Sequence, residues 1–265
     1  MPLFFDDLVV LGFHDVKDAP GIHSEFKKHG VDAAVVDHAY IVSHLHLAVS
    51  FYRFKSEGAH DTGISISSAH TESASNVTAK KYISDSKRGR PSTARDIFAA
   101  LSPSHNLDRI LQVLPAGSKT DAVLVILQKD TYESQKQHIL DCIIRKSSQP
   151  DGTEKAKAHL LAHRRSGLFP FLEYVDTEKV MKFYGITERD KYAMAQSFTL
   201  NESHALAQEV LSTDIAVTLA AFHAKQNMCK CPGDRTACAK SAISMMVGAK
   251  ALEQCVVNKL SLCDI

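Results

Sequence analysis

A cluster of cysteines in the last forty residues has the residue types that bind a metal. Cys229, Cys231 and Cys238 lie within ten residues of one another, with His223 before them and Cys255 after them. Thiolates and imidazole are ligands that tetrahedral zinc prefers, but the usual structural sites pair their cysteines at a different spacing. We therefore predict no cofactor. Zinc bound by His223, Cys229, Cys231 and Cys238 stays a weak alternative to reduced thiols around a Pro-Gly turn, and a disulfide formed during purification is a third interpretation.

A basic segment at 80–95 has the charge that would suit a nucleic-acid backbone. It contains a single acidic residue, Asp85, and ends at the predicted start of a helix, where free backbone N–H groups attract phosphate. Runs of charge are more often solvated faces, so the residues alone support both interpretations equally. The basic side chains of the segment are Lys80, Lys81, Lys87, Arg88, Arg90 and Arg95.

Catalytic motifs are missing from the sequence. It contains neither of the standard glycine-rich phosphate loops and no His-Glu-x-x-His pair. The stretch GISIS at 63–67 lacks the closing glycine of a nucleophile elbow. His70-Thr71-Glu72 imitates the first half of a zinc deaminase signature, but the Pro-Cys-x-x-Cys half is absent. We predict that the protein is not an enzyme.

Composition and charge limit the class of protein. The 265 residues are 45% hydrophobic, which suffices for a core in one large domain or two small ones. The formal net charge is +1, from 31 basic and 30 acidic residues, so any nucleic-acid binding must use a local patch. No apolar run approaches the roughly 18 residues of a membrane span, and the N-terminus lacks a basic leader. We expect a cytoplasmic and nuclear protein that does not enter membranes.

The apolar periodicity predicts few strands and many helices without regular alternation, which favours a mixed α/β (α+β) fold with a small central sheet flanked by several helices. Strands are predicted at 7–13, 32–37 and 121–128, and helices at 17–29, 38–54, 132–146, 177–184, 187–196, 202–224 and 239–260. Small and polar residues at about 57–86 predict a mobile insertion between two of these elements.

The stretch IFAALSPSHNLDRIL at 97–111 predicts one helix that stops and another that starts at once. Pro103 pushes Ser102 out of helical geometry and ends the first helix. A short polar side chain, Ser104 or Asn106, can cap the second. Ser92 or Thr93 caps the first helix at its other end.

The same stretch resembles a known family. Leu101-Ser102-Pro103, followed by Asn106-Leu107, is similar to the LSP-x-x-N-I core of the PRPK-binding accessory subunit of the KEOPS/EKC complex. Four further stretches resemble motifs of that family in the same order, and the resemblance covers most of residues 7–222, broken by two insertions. The four stretches are LGFHDVKDA at 11–19, RPSTARDIFAAL at 90–101, EKVMKFYGIT at 178–187 and LSTDIAVTL at 211–219.

The resemblance implies a function without catalysis. It implies a mixed α/β subunit that docks on the amino-terminal lobe of the atypical kinase of the complex and meets the other subunits indirectly. It also implies a role in recruiting tRNA, by the 3′ CCA end in archaeal examples, for threonylcarbamoyladenosine modification. From the residues alone, the alternative is a zinc-stabilised RNA-binding module unconnected to that complex.

The resemblance also implies site residues. The last helix of the family contributes to kinase docking, which points here to Leu211, Asp214, Ile215 and Leu219, with Tyr184 nearby. The apolar members of this set step by four and fit the domain's own core equally well. The tRNA contacts implied are those of Lys87, Arg88, Arg90 and Arg95.

The resemblance sets a domain boundary as well. Chains of the family usually end just after the docking helix, so we predict an accessory-subunit-like domain at 1–222. Residues 223–265 are then a helical C-terminal extension that contains the cysteines.

Overall fold

The computed structural model describes residues 2–60, 93–104, 106–147, 159–160, 174–198 and 235–262. The strands are β1 (Leu3–Phe5), β2 (Leu8–His14), β3 (Ala33–Asp37), β4 (Val123–Gln128) and β5 (His159–Leu160). The helices are α1 (Ala19–Lys28), α2 (His44–His60), α3 (Ala94–Ala100), α4 (Leu107–Val113), α5 (Lys129–Ser147), α6 (Thr177–Tyr184), α7 (Glu188–Ser197) and α8 (Arg235–Leu262), with a short 3₁₀ helix at His38–Tyr40.

The five strands form a sheet in which each paired neighbour is antiparallel. The strand order is β1-β2-β4-β3, and β5 pairs with the last two residues of β2. Helix α1 connects β2 to β3, which lie two positions apart in the sheet. Strand β4 fills the gap between them, and this arrangement is a split βαβ unit.

Apolar layers cover the sheet on both faces. Val9 and Leu11 of β2 face the layer that contains α1 and α5, where they meet Ile22. Leu8 and Val10 face the layer that contains α2, α3 and α4. Strands buried on both faces read as continuous apolar runs, which is why β2 and β4 are the clearest strands in the sequence.

A third apolar cluster joins α2 to the helices that follow residue 174. Its core includes Val42, Val180, Tyr184, Leu252 and Val256. The two residues on α6 and the two on α8 each step by four, so each pair lies on one helix face. Burial of such an aliphatic side chain is worth about 1.5–3 kcal/mol. This cluster holds α8 against α2, α6 and α7.

The predicted fold class is confirmed: the protein is a mixed α/β fold with a small sheet flanked by helices. The helix predicted at 177–184 has those bounds, and the final helix is longer than predicted, at Arg235–Leu262. The helix predicted at 202–224 lies outside the described residues. Within the described residues, no helix has the length and hydrophobicity needed to cross a membrane.

One helix begins later than predicted. Residues 38–54 read as a single helix, but the Asp37 side chain accepts a hydrogen bond from Ala39 N–H and starts the short 3₁₀ turn. The Ser43 hydroxyl then accepts from His46 N–H and starts α2. Helix α2 runs on to His60, so the first four residues of the insertion predicted at 57–86 are helical, and the rest lies outside the described residues.

Candidate functional site

The predicted break between α3 and α4 is present. Thr93 and Asp96 form a reciprocal capping box at the start of α3. The helix ends before Ser102, whose hydroxyl accepts from Ser104 N–H, and the Asn106 carboxamide oxygen accepts from the backbone of the next turn to begin α4. The chain therefore turns a tight corner at Ser102-Pro103, with side chains satisfying the donors of both helices.

This corner leaves two backbone carbonyls without helical partners, and residues distant in the sequence bind both. The Tyr184 hydroxyl on α6 donates to Leu101 O at 2.7 Å. The Arg53 Nη2 group on α2 donates to Ser102 O at 2.8 Å. Buried carbonyls need such donors, and Ser102 is fully buried. The Ser-Pro break is thus the point where α2 and α6 attach to α3.

His46 extends the network beneath the corner. Its Nδ1 accepts from Val42 N–H at 3.3 Å, which places the ring proton on Nε2. That proton faces the Tyr184 hydroxyl at 2.8 Å, and the hydroxyl proton is then free to bond Leu101 O. Burial lowers the pKa of His46 to about 3. Burial also raises the pKa of Tyr184, and this effect outweighs the positive charge of Arg53, which lowers it. Both side chains are therefore neutral at pH 7.

Helix α8 joins the same network through Arg53. The Nη1 group donates to Leu260 O in the last turn of α8 at 3.2 Å. Arg53 is only 8% exposed, and Leu260 is fully buried. One guanidinium therefore bonds the Ser102 corner with one nitrogen and the end of α8 with another.

An open groove of about 370 Å³ runs between α7 and α8. Its apolar lining comes from Ile186, Met194 and Cys255, while Asp190 and Lys259 bring opposite charges to it. The Thr187 backbone and hydroxyl lower the pKa of Asp190, so this carboxylate is ionised. Burial raises the pKa of the Cys255 thiol, and the thiol is therefore protonated. The groove therefore combines an apolar lining with one side chain of each charge.

The family of the chain follows from a match that spans most of it. A family model described as "Kinase binding protein CGI-121" matches residues 13–259. The chain belongs to the CGI-121 family. The resemblance derived from five sequence motifs is thereby confirmed at the level of the family, which is one of kinase-binding proteins. A comparison with curated proteins finds no significant match.

The CGI-121 match continues beyond the domain boundary predicted at residue 222. It takes in α8 up to Lys259, which is one of the residues that line the groove. Helix α8 is therefore the last helix of the matched range that the structure describes.

The described structure places two of the site residues implied by the CGI-121 resemblance. Tyr184 is 3% exposed, so its side chain has an internal role at the Ser102 corner and offers little surface to a partner. Arg95 is exposed in the first turn of α3. The other implied residues lie outside the described residues, and their roles stay predictions: Lys87, Arg88, Arg90, Leu211, Asp214, Ile215 and Leu219.

The zinc alternative falls mostly outside the described residues too. His223, Cys229 and Cys231 precede α8 and are not described, while Cys238 lies within the helix but without a described side chain. Across the described ranges, no group of three or more histidine, cysteine or acidic side chains is arranged to hold a metal ion.

Three residues of the corner were missed from the sequence: His46, Arg53 and Leu260. A signal for the first two was present, because His46, Ser50 and Arg53 step by four and three along α2 and share one helix face. Ser50 donates to His46 O at 2.8 Å, and all three side chains are buried. A polar stripe on the buried side of a helix is a sign of an internal hydrogen-bond network.

Proposed function

We propose that this CGI-121 protein is a non-catalytic subunit of the KEOPS/EKC complex. It binds the atypical kinase subunit of the complex and helps to recruit tRNA, by its 3′ CCA end, for threonylcarbamoyladenosine modification. The observation that carries the proposal is the match to a kinase-binding family over residues 13–259. The tRNA part rests on the motif resemblance and on the basic segment at 80–95.

The groove between α7 and α8 is the docking face that we propose for the amino-terminal lobe of the kinase. The resemblance implies docking through the helix at 211–219, and the family match runs on through α8 to residue 259, so we propose that α8 takes part in docking. Two large apolar side chains are exposed on these helices: Tyr192 at 66% and Leu262 at 63%. Leu262 lines the groove, and tyrosine is among the residue types enriched at binding hot spots. The residues implied at 211–219 stay a separate prediction.

A matched pair of substitutions on α7 tests the docking face. Ala193 is exposed and lines the groove, while Gln196 is exposed on the same helix and is not in the lining. A carboxylate in the groove would lose its water and meet an apolar partner surface. We therefore expect Ala193→Glu to weaken kinase binding by about tenfold or more, which is about 1.4 kcal/mol. Titration calorimetry with the purified kinase subunit measures it.

Gln196→Glu is the control, because it adds the same charge to an exposed position of the same helix. We expect its dissociation constant to stay within about twofold of the unsubstituted chain, a difference of under 0.5 kcal/mol. Equal losses for the two variants would place the docking face elsewhere. If the unsubstituted chain fails to bind the kinase subunit at all, the proposed function itself is wrong.

Charge reversal in the basic segment tests the tRNA part. Arg88→Glu combined with Arg90→Glu should weaken tRNA binding, because phosphate contacts release counterions from the RNA. Each lost contact should reduce the slope of log affinity against log salt by about 0.7–0.9. The measurement is a filter-binding titration at several salt concentrations.

Arg109→Glu combined with Lys119→Glu provides the control for net charge, because it reverses two basic side chains as well. Arg109 and Lys119 are exposed and lie outside the basic segment. We expect this variant to keep the slope of the unsubstituted chain. A double variant at Arg88 and Arg90 with an unchanged slope would exclude these two residues from the tRNA contact.

A further inference from the structure

We propose that Arg53 is a positioning residue for kinase docking. Its side chain is buried, and it joins the corner after α3 to the end of α8. Its guanidinium holds the last turn of α8 against the Ser102-Pro103 corner, and this contact sets the shape of the groove between α7 and α8. The inference rests on the proposed function, because it takes that groove as the docking face.

The contacts of Arg53 join segments that are far apart in the chain. Its two terminal nitrogens donate to Ser102 O, 49 residues away, and to Leu260 O, 207 residues away. The guanidinium presents its donors in a rigid planar fork, so one side chain fixes the spacing of the two carbonyls. A buried charge is costly unless its donors are used. The two hydrogen bonds of the Arg53 guanidinium therefore fix the position of Leu260 relative to Ser102.

Both walls of the groove lead back to the same corner. On α8, Leu260 lies between Lys259 and Leu262, which line the groove, so a shift of Leu260 moves that wall. On the other side, Tyr184 bonds Leu101 O and ends α6. Groove residue Ile186 follows two residues later, in the turn that leads to α7. The corner is thus bonded to the α7 side of the groove through Tyr184 and to the α8 side through Arg53.

Glycine at position 185 makes the turn between these walls possible. Gly185 has a φ of 62° and ends α6 in the left-handed conformation, which glycine adopts without steric cost. The capping box of Thr187 and Asp190 then starts α7. Only a short turn therefore separates the buried Tyr184 from the groove, and Gly185 and the capping box fix the backbone conformation of that turn.

The test compares Arg53→Met and Arg53→Lys with Arg109→Met in the full-length chain. Methionine keeps an unbranched stem without donors, and lysine keeps the charge without the planar fork. We measure amide hydrogen exchange in residues 252–262 and, as an internal reference, in α1. We also measure the dissociation constant for the kinase subunit at a temperature where circular dichroism shows every variant to be fully folded.

We expect Arg53→Met to speed exchange in residues 252–262 by about tenfold and to leave exchange in α1 unchanged. We expect kinase binding to weaken by about tenfold, with Arg53→Lys also impaired in both measurements and Arg109→Met unchanged. Unchanged exchange would show that Arg53 does not hold α8. Faster exchange with unchanged affinity would show a merely structural residue, and either result overturns the inference.

Two safeguards keep the outcome decisive. If Arg53→Met does not fold, Arg53→Lys alone decides, because it retains the charge and one donor group. If the unsubstituted chain does not bind the kinase subunit, the proposed function fails. The exchange data still show whether Arg53 holds α8, so that the two failures are distinct.

Discussion

Replacing Tyr184 with phenylalanine is expected to lower the free energy of unfolding by about 2–4 kcal/mol, far more than loss of one hydroxyl usually costs. The hydroxyl donates to Leu101 O and faces the Nε2 proton of His46. Phenylalanine keeps the ring but leaves both of these buried groups without this partner. Each such group costs about 1–3 kcal/mol. Urea denaturation followed by circular dichroism measures the difference.

Tyr192→Phe is the matched control for this prediction. Tyr192 is exposed on α7, so its hydroxyl can bond water in both the folded and the unfolded state, and its removal costs little. We expect a change within about 0.5 kcal/mol. A Tyr184→Phe variant as stable as this control would mean that the corner is not held by the tyrosine hydroxyl.

Lowering the pH from 7 to 5 is expected to remove about 2 kcal/mol of stability through His46 alone. Burial lowers the pKa of His46 to about 3 in the folded protein, from 6.5 in the unfolded chain. The unfolded state therefore binds a proton that the folded state excludes. Stability is fully present above pH 6.5 and is lost as the pH falls toward 3, because protonation stabilises only the unfolded chain.

His46→Gln separates this effect from those of other groups. Glutamine offers a donor and an acceptor in the network but does not titrate. We expect the variant to be less stable than the unsubstituted chain at pH 7. Between pH 7 and pH 5 its free energy of unfolding should fall by about 2 kcal/mol less than that of the unsubstituted chain. Urea denaturation at pH 7, 6 and 5 gives the comparison, with His23→Gln at an exposed position of α1 as the control. Equal pH dependence in all three proteins would contradict a buried neutral His46.

Local patterns predict most of this fold because its elements carry local signals. Strands β2 and β4 are continuous apolar runs, and the corner at Ser102-Pro103 combines a helix breaker with the cap Asn106. Strands β1 and β5 were missed because they contain only three and two residues, too few for periodicity to appear.

The candidate site is harder to predict because its contacts are long-range. The partners of Tyr184 lie 83 and 138 residues away, and the more distant carbonyl bound by Arg53 lies 207 residues away. No local pattern states which carbonyl a buried arginine will reach. The resemblance pointed to Tyr184 as an interface residue, whereas its described contacts lie inside the protein. The groove itself depends on how α7 and α8 meet, which only the folded chain determines.

The place of β4 at the centre of the sheet has a consequence for synthesis on the ribosome. Strand β3 ends at Asp37, but its partner β4 is complete only at Gln128, which is 91 residues later. Synthesis proceeds at about 5–20 residues per second, so roughly 5 to 20 seconds pass between the synthesis of β3 and that of β4, the strand that lies between β3 and β2. During that interval the nascent chain carries unpaired apolar strands, which are natural ligands for chaperones. The sheet therefore cannot close cotranslationally before its third long strand has left the ribosome.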